Sequence, residues 1–250
     1  MARNMSGMKI KGSVGGLNFY GDNLIRSERK GIDKKVFATK PSLKGMYDKS
    51  QEFKLVAKGT KLLKDAVRPL FVHARDGSLH NRISSILNIV KNNDEVATAG
   101  SMTINNGFKN PLGRHLFKEF KFTPERSVSD TLSAAGIYNT EQHSYTVSGF
   151  DTGNIVFPGG ATHMEVGLSM LRVDFDRNTH TALSGPGIFI DKRFERDSFT
   201  LRMDGLPKGK GILITLAYVR FYLELEGRKY IVKNELGVDV LGIEIDTIKV

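Results

Sequence analysis

Lys54, Lys58, Lys61 and Arg68 recur at i, i+4, i+7 and i+14, and Lys64 sits beside them. Those intervals place side chains on one face of an α-helix. Five cations on one face attract an anion. They can neutralise phosphates, and binding then weakens steeply with salt. An acidic protein surface satisfies them as well as nucleic acid does. A solvated face opposite an apolar one would use the same residues, because an amphipathic helix needs a polar side. A second basic group, Arg29, Lys30, Lys34 and Lys35, lies in the polar stretch 28–40. A third set interleaves rings with cations: Phe108, Lys109, Arg114, Phe117, Lys118, Phe120, Lys121 and Phe122. Some single-strand binders stack bases on rings spaced this way. The same phenylalanines can instead face a core.

No spacing announces a reaction. His73, His80, His115, His143, His163 and His180 show no HExxH pair, and no carboxylate cluster accompanies them. Asp174-Phe-Asp176-Arg-Asn178 imitates the start of a calcium loop. Thr179 then stands where such a loop needs glycine, and Gly185 where it needs glutamate. The segment reads better as a strand entering a turn. Gly12-Ser-Val-Gly15-Gly16 ends without Lys-Ser/Thr and opens no helix, so it reads as tight turns between strands. No GxSxG elbow occurs. Cysteine is absent, which excludes disulfides, thiolate metal sites and a cysteine nucleophile. The residues point to a protein that is not an enzyme and takes no cofactor or metal. A site assembled in space within the C-terminal half has no positive support in the sequence.

Charge is uneven along the chain. Residues 1–122 hold 23 Lys+Arg and 10 Asp+Glu, a net of +13; residues 123–250 hold 14 and 17, a net of −3. This suggests two differently built parts, 1–122 and 123–250, with the first meeting something negative. A hydrophobic content of 40% suits a packed chain rather than a disordered one. The longest apolar-rich run, Ile212 to Val219, is far short of the ~20 residues a membrane helix needs. No apolar stretch follows the N-terminus, so no secretory signal is visible. The residues thus suggest a soluble, cytoplasmic protein without direct membrane insertion.

The elements follow from periodicity. Met8–Lys11, Leu17–Tyr20 and Leu24–Arg26 alternate between glycine turns and predict a small meander. Residues 28–40 predict a solvated connector. Pro41-Ser42 opens a long helix with 3.6-residue periodicity, weakened at Gly45 and Gly59 and ended near Arg68 by Pro69. A second helix starts at Ser78 and stops at Asn92-Asn93, and the short link predicts an antiparallel helical hairpin. Residues 94–111 predict a loop, and 111–122 a short helix. Beyond 123, β-branched and aromatic runs alternate with turn clusters. The runs are 145–147, 154–157, 165–175, 187–190, 198–203, 212–225, 230–232 and 242–250. The fold class expected is α+β: an N-terminal β-hairpin plus a basic helical hairpin, then a C-terminal antiparallel β-sandwich. Ile212–Glu226 would span roughly 50 Å, so a bulge or sheet switch is expected near Tyr218–Arg220.

Lys11-Gly-Ser-Val-Gly15-Gly-Leu-Asn-Phe-Tyr20 resembles the hairpin that opens a family of Bacteroidota proteins. A basic linker, here Arg26 to Lys35, then a helical segment, here roughly 41–92, and a β-rich half follow in that family. One member looks like the plug that closes the periplasmic mouth of the outer-membrane translocon of the type 9 secretion system. The resemblance implies a non-enzymatic gating subunit in the periplasm. Its partner would be a large assembly containing an outer-membrane β-barrel, and it supplies no catalytic residues. Partner contact would fall to Arg29, Lys30, Lys34, Lys35, Lys54, Lys58, Lys61, Lys64 and Arg68. Two alternatives stay open: a nucleic-acid-binding protein, or a structural protein of a phage or mobile element.

Overall fold

Gly15 and Gly16 both take positive φ, 59° and 79°, and join two strands in register from Val14 opposite Leu17. A two-residue turn of this hand matches the twist of a hairpin, and glycine adopts it without strain. In the computed structural model, residues 2–3, 12–20, 24–27 and 31–245 are described. They form two compact units, Met1–Tyr47 and Asp48–Val250. The first holds strands β1 (Ala2–Arg3), β2 (Gly12–Val14), β3 (Leu17–Tyr20) and β4 (Leu24–Ser27) in the order β1-β4-β3-β2. The strand expected at Met8–Lys11 lies outside the described residues.

The expected connector contains helix α1 (Lys34–Thr39), started by the Asp33 carboxylate accepting from the Lys35 amide at 2.7 Å. Such a cap satisfies an otherwise orphaned donor. Pro41 opens a 3-10 turn that leads into α2 (Lys44–Val67). Helix α2 begins in the first unit and continues into the second.

Three layers make the second unit. The first is helical: α2, α3 (Leu79–Lys91), α4 (Ile104–Lys109) and α5 (Pro111–Lys118), with the short α6 (Val128–Leu132) after them. The small sheet has β5 (Gly136–Asn139), β6 (Ser144–Ser148) and later β10 (Ser198–Arg202) in the order β10-β6-β5. The large sheet runs β12-β11-β7-β8, from β7 (His163–Asp174), β8 (Thr179–Ser184), β11 (Ile212–Leu225) and β12 (Arg228–Ile245). Strand β9 (Ile188–Asp191) pairs with β7 beyond the end of β8. All pairings are antiparallel.

Alternation along β11 sorts its side chains. Ile212, Ile214, Leu216 and Tyr218 pack with α2, α3, α4 and α5. Leu213, Ala217, Val219 and Phe221 pack with Val147, Phe199 and Leu201 of the small sheet. Strand β11 is therefore covered on both faces, which is why its sequence is nearly continuous in apolar residues. Gly59 lies where α2 meets this core. A Cβ there would stand 2.6 Å from Ile104 Cδ1 and 3.0 Å from Phe175, so glycine sets the closeness of that contact.

The α+β class holds: hairpin sheet, helices, then stacked antiparallel sheets. The unit division falls at 47/48 and not at the expected 122/123. The charge step at 122 misled because the helices bury their apolar faces against the large sheet, in one shared core. The loop expected at 94–111 contains α4. The helix expected over 111–122 stops at Lys118. Residues 154–157 are not a strand; β5, β8 and α6 went unread. Tyr230–Val232 and Gly242–Val250 belong to one strand, β12, as far as the described residues reach. The bulge expected in β11 sits in its partner instead. Between Thr215 and Leu216 the register steps from Gly242 to Val240, and between Arg220 and Tyr222 it steps from Leu236 to Ile231. Against β7, β11 keeps an unbroken register.

Candidate functional site

At 100° per residue, Lys64, Lys61, Lys54 and Lys58 of α2, with Arg68 in the turn just past its end, occupy an arc of about 120°. All five are exposed, and Val56, Leu63, Ala66 and Val67 are buried on the other side. Lys54 Nζ donates to Gln51 Oε1 at 3.3 Å. Among the described residues none of the five forms an ion pair, although Asp65 shares their face. The structure thus joins all five predicted cations, four on α2 and Arg68 just past its end, in one exposed field. Lys34 and Lys35 are exposed on α1, in the other compact unit. Arg29 and Lys30 lie outside the described residues.

A buried pair fixes α2 to its neighbours. Lys91 Nζ, at the end of α3, donates to Glu52 Oε2 at 2.5 Å, and the Gly100 amide donates to Glu52 Oε1 at 2.6 Å. Contact between the start of one helix and the end of the next makes α2 and α3 antiparallel, as expected. Burial raises the Glu52 carboxyl, but bonds from Lys91, Gly100 and Met102 outweigh it and hold it below the ordinary value.

At the other end of the pair, Asp76 of the link caps the start of α3. Its carboxylate accepts from the Ser78 amide at 2.8 Å, the Leu79 amide at 3.0 Å and Arg82 at 2.7 Å. Burial raises this carboxyl too, yet Arg82 and Ser78 hold it at about 2, below its ordinary 3.8. The folded value is the lower one, so the stabilisation is complete above the unfolded value and is lost as pH falls toward 2. Asp76→Asn is expected to lower unfolding stability by about 2 kcal/mol at neutral pH. The gap should shrink between about pH 5 and pH 2.5, read by urea denaturation at several pH values.

Beside the cations lies a groove of about 670 Å³ between the last turns of α2, the link 68–78 and the start of α3. Lys61, Lys64 and Arg68 form one wall, Asp65 and Asp76 also line the groove, and Ala57, Phe71 and Leu79 supply apolar surface. Sequence reasoning missed it, because its floor comes from the link. The link is held by β12: the Asn234 amide donates to His73 O at 3.0 Å, and the Arg75 amide donates to Asn234 Oδ1 at 3.0 Å. Asn234 has φ of 63° within the larger register step, a position asparagine tolerates.

The interleaved phenylalanines do not form a stacking platform. Phe108, Phe117 and Phe122 are fully buried, and Phe108 meets Phe117 edge-on at 5.1 Å. Lys109, Lys118 and Lys121 point to solvent. Asp174 ends β7 as a turn former, accepting from the Asp176 and Arg177 amides at 3.0 Å each. Among the described residues no group of three His, Asp or Glu could hold a metal, and no helix is long and apolar enough to cross a membrane.

Two polar clusters flank the large sheet, the first on its helix-facing side and the second between the sheets. Glu165 accepts from Tyr218 Oη at 3.0 Å and from Tyr222 Oη at 2.5 Å. Tyr138 Oη meets Thr215 Oγ1 at 3.0 Å and His143 Nδ1 at 3.3 Å, and donates to Glu244 Oε1 at 3.3 Å. Burial pushes the Tyr138 hydroxyl up to about 12, so it stays protonated and acts as a hydrogen-bonding strut between sheets. Comparison with known proteins finds no protein-family model, curated protein or solved structure that matches the chain.

Proposed function

We propose that this chain is a non-enzymatic docking and gating subunit of a large protein assembly. The specific reading is a plug that closes the periplasmic mouth of the type 9 secretion translocon. The observation that carries the docking part is the exposed cationic field along α2 and its end, which forms no ion pair among the described residues. Exposed cations that form no ion pair among the described residues are available to another body. The first unit adds to this charge: residues 1–47 hold 10 Lys+Arg against 3 Asp+Glu. The plug part rests on the resemblance of the Lys11–Tyr20 segment. The mechanism is steric: a basic front is steered to an acidic rim, and the stacked sheets supply the bulk that occludes an aqueous pore. The chain would act in the periplasm with a β-barrel partner and without inserting into the membrane. Nucleic acid remains the contrary outcome to test for, since the rings that would stack bases face the core. The experiment is ion or dye permeability of the purified translocon with and without this subunit. Added chain should close a leaking pore; unchanged permeability refutes the gating role.

A further inference from the structure

We propose that the groove beside α2 receives an acidic peptide segment carrying at least one large apolar side chain. This rests on the docking reading above and narrows the partner's local chemistry. Three observations carry it. The first is the wall: Lys61, Lys64 and Arg68 are exposed and form no ion pair among the described residues. The second is the floor. Phe71 and Leu79 border a volume of about 670 Å³, room enough for large side chains. The third is exposed apolar surface on the same flank of α2, where Ala57 opens to solvent and Phe53, one turn earlier, is 68% exposed.

Charge complementarity chooses the occupant. A neutral apolar segment would dry a groove whose three cations outnumber its two carboxylates, Asp65 and the Arg82-paired Asp76, and desolvating an uncompensated charge is expensive. A purely acidic segment would leave the apolar floor wet. A segment with both uses both: carboxylates meet the wall in bidentate or single contacts, and a leucine or phenylalanine fills the floor. From Ala57 to Arg68 the helix rises about 16 Å. An extended peptide of about five residues covers that length, and a longer one overhangs it.

The probe is a labelled eight-residue peptide alternating glutamate with leucine and phenylalanine, titrated against the full chain by fluorescence anisotropy. It should bind about tenfold or more tighter than an oligoglutamate of equal length, the worth of one buried apolar side chain. Ala57→Glu and Lys64→Glu should each weaken it about tenfold, by adding a carboxylate or reversing a charge at the wall. Lys58→Glu, on the far flank of the face, should weaken it much less. All three changes are on exposed helix positions, so circular dichroism and thermal melting should be unchanged. Equal affinity for oligoglutamate, or equal loss from Lys58→Glu and Lys64→Glu, reduces the surface to general electrostatics and overturns the proposal. Tighter binding of a single-stranded oligonucleotide than of the peptide also overturns it. A failed titration beside a chain that still closes the translocon removes the groove and keeps the gating role.

Discussion

Replacing Lys91 with methionine is expected to cost about 3–5 kcal/mol of stability, the penalty for leaving one partner of a buried ion pair alone. The side chains of Lys91 and Glu52 are 5% and 9% exposed. In Lys91→Met the Glu52 carboxylate keeps the Gly100 amide and loses its counter-charge in a low-dielectric setting. Its carboxyl should then titrate higher, so protonation relieves part of the penalty and the gap between variant and native chain should narrow as pH falls. A loss this large is a big share of the 5–15 kcal/mol typical of folded proteins. The double variant Glu52→Met with Lys91→Met should lose less than Lys91→Met alone. Its remaining penalty is the unsatisfied Gly100 and Met102 amides, about 1–3 kcal/mol each. Urea denaturation of the two single variants and the double completes the cycle. Additive losses would show that the pair is not coupled.

Reversing Lys58, Lys61 and Lys64 together to glutamate is expected to abolish docking without unfolding the chain. Each exposed contact to an acidic rim is worth about 0.2–1 kcal/mol, and reversal turns attraction into repulsion of similar size. Three reversals therefore remove about 1–6 kcal/mol, from roughly tenfold to more than a thousandfold in affinity. Much of that should appear as slower association and as lost salt dependence. The side chains are exposed and form no ion pair among the described residues, so denaturation should barely change. Binding kinetics at about 50 and 200 mM salt read the effect, because screening shortens with ionic strength. Triple-variant affinity equal to that of the native chain at low salt would show that α2 is not the docking face.

The helical half was legible because its signals are local. Pro41, Pro69, Ser78 and Asn92 mark ends that the caps and turns obey, and the 3.6-residue repeat separates Lys58 and Lys61 from Val56 and Leu63. The cationic field could be read for the same reason. The sheets were legible only in part. Strand β11 announces itself through fourteen consecutive residues, whereas β8 is six exposed residues, Thr179–Ser184, with little apolar contrast. The partnership of helices and large sheet was hidden. A strand covered on both faces has no alternation to show which layer covers it, and the charge step at 122 suggested a boundary where a shared core exists. The groove floor was hidden too, since Phe71 is positioned by a link that Asn234 holds from 159 positions beyond Arg75.

Affinity purification of the tagged native chain beside its Lys58→Glu/Lys61→Glu/Lys64→Glu counterpart, from the same host, bears most directly on the docking face. The native chain should bring down an outer-membrane β-barrel in stoichiometric amount, and the triple variant should come down alone. Equal recovery of that barrel with both, or recovery of nucleic acid in its place, would contradict the assignment of α2 as the surface that meets an acidic protein.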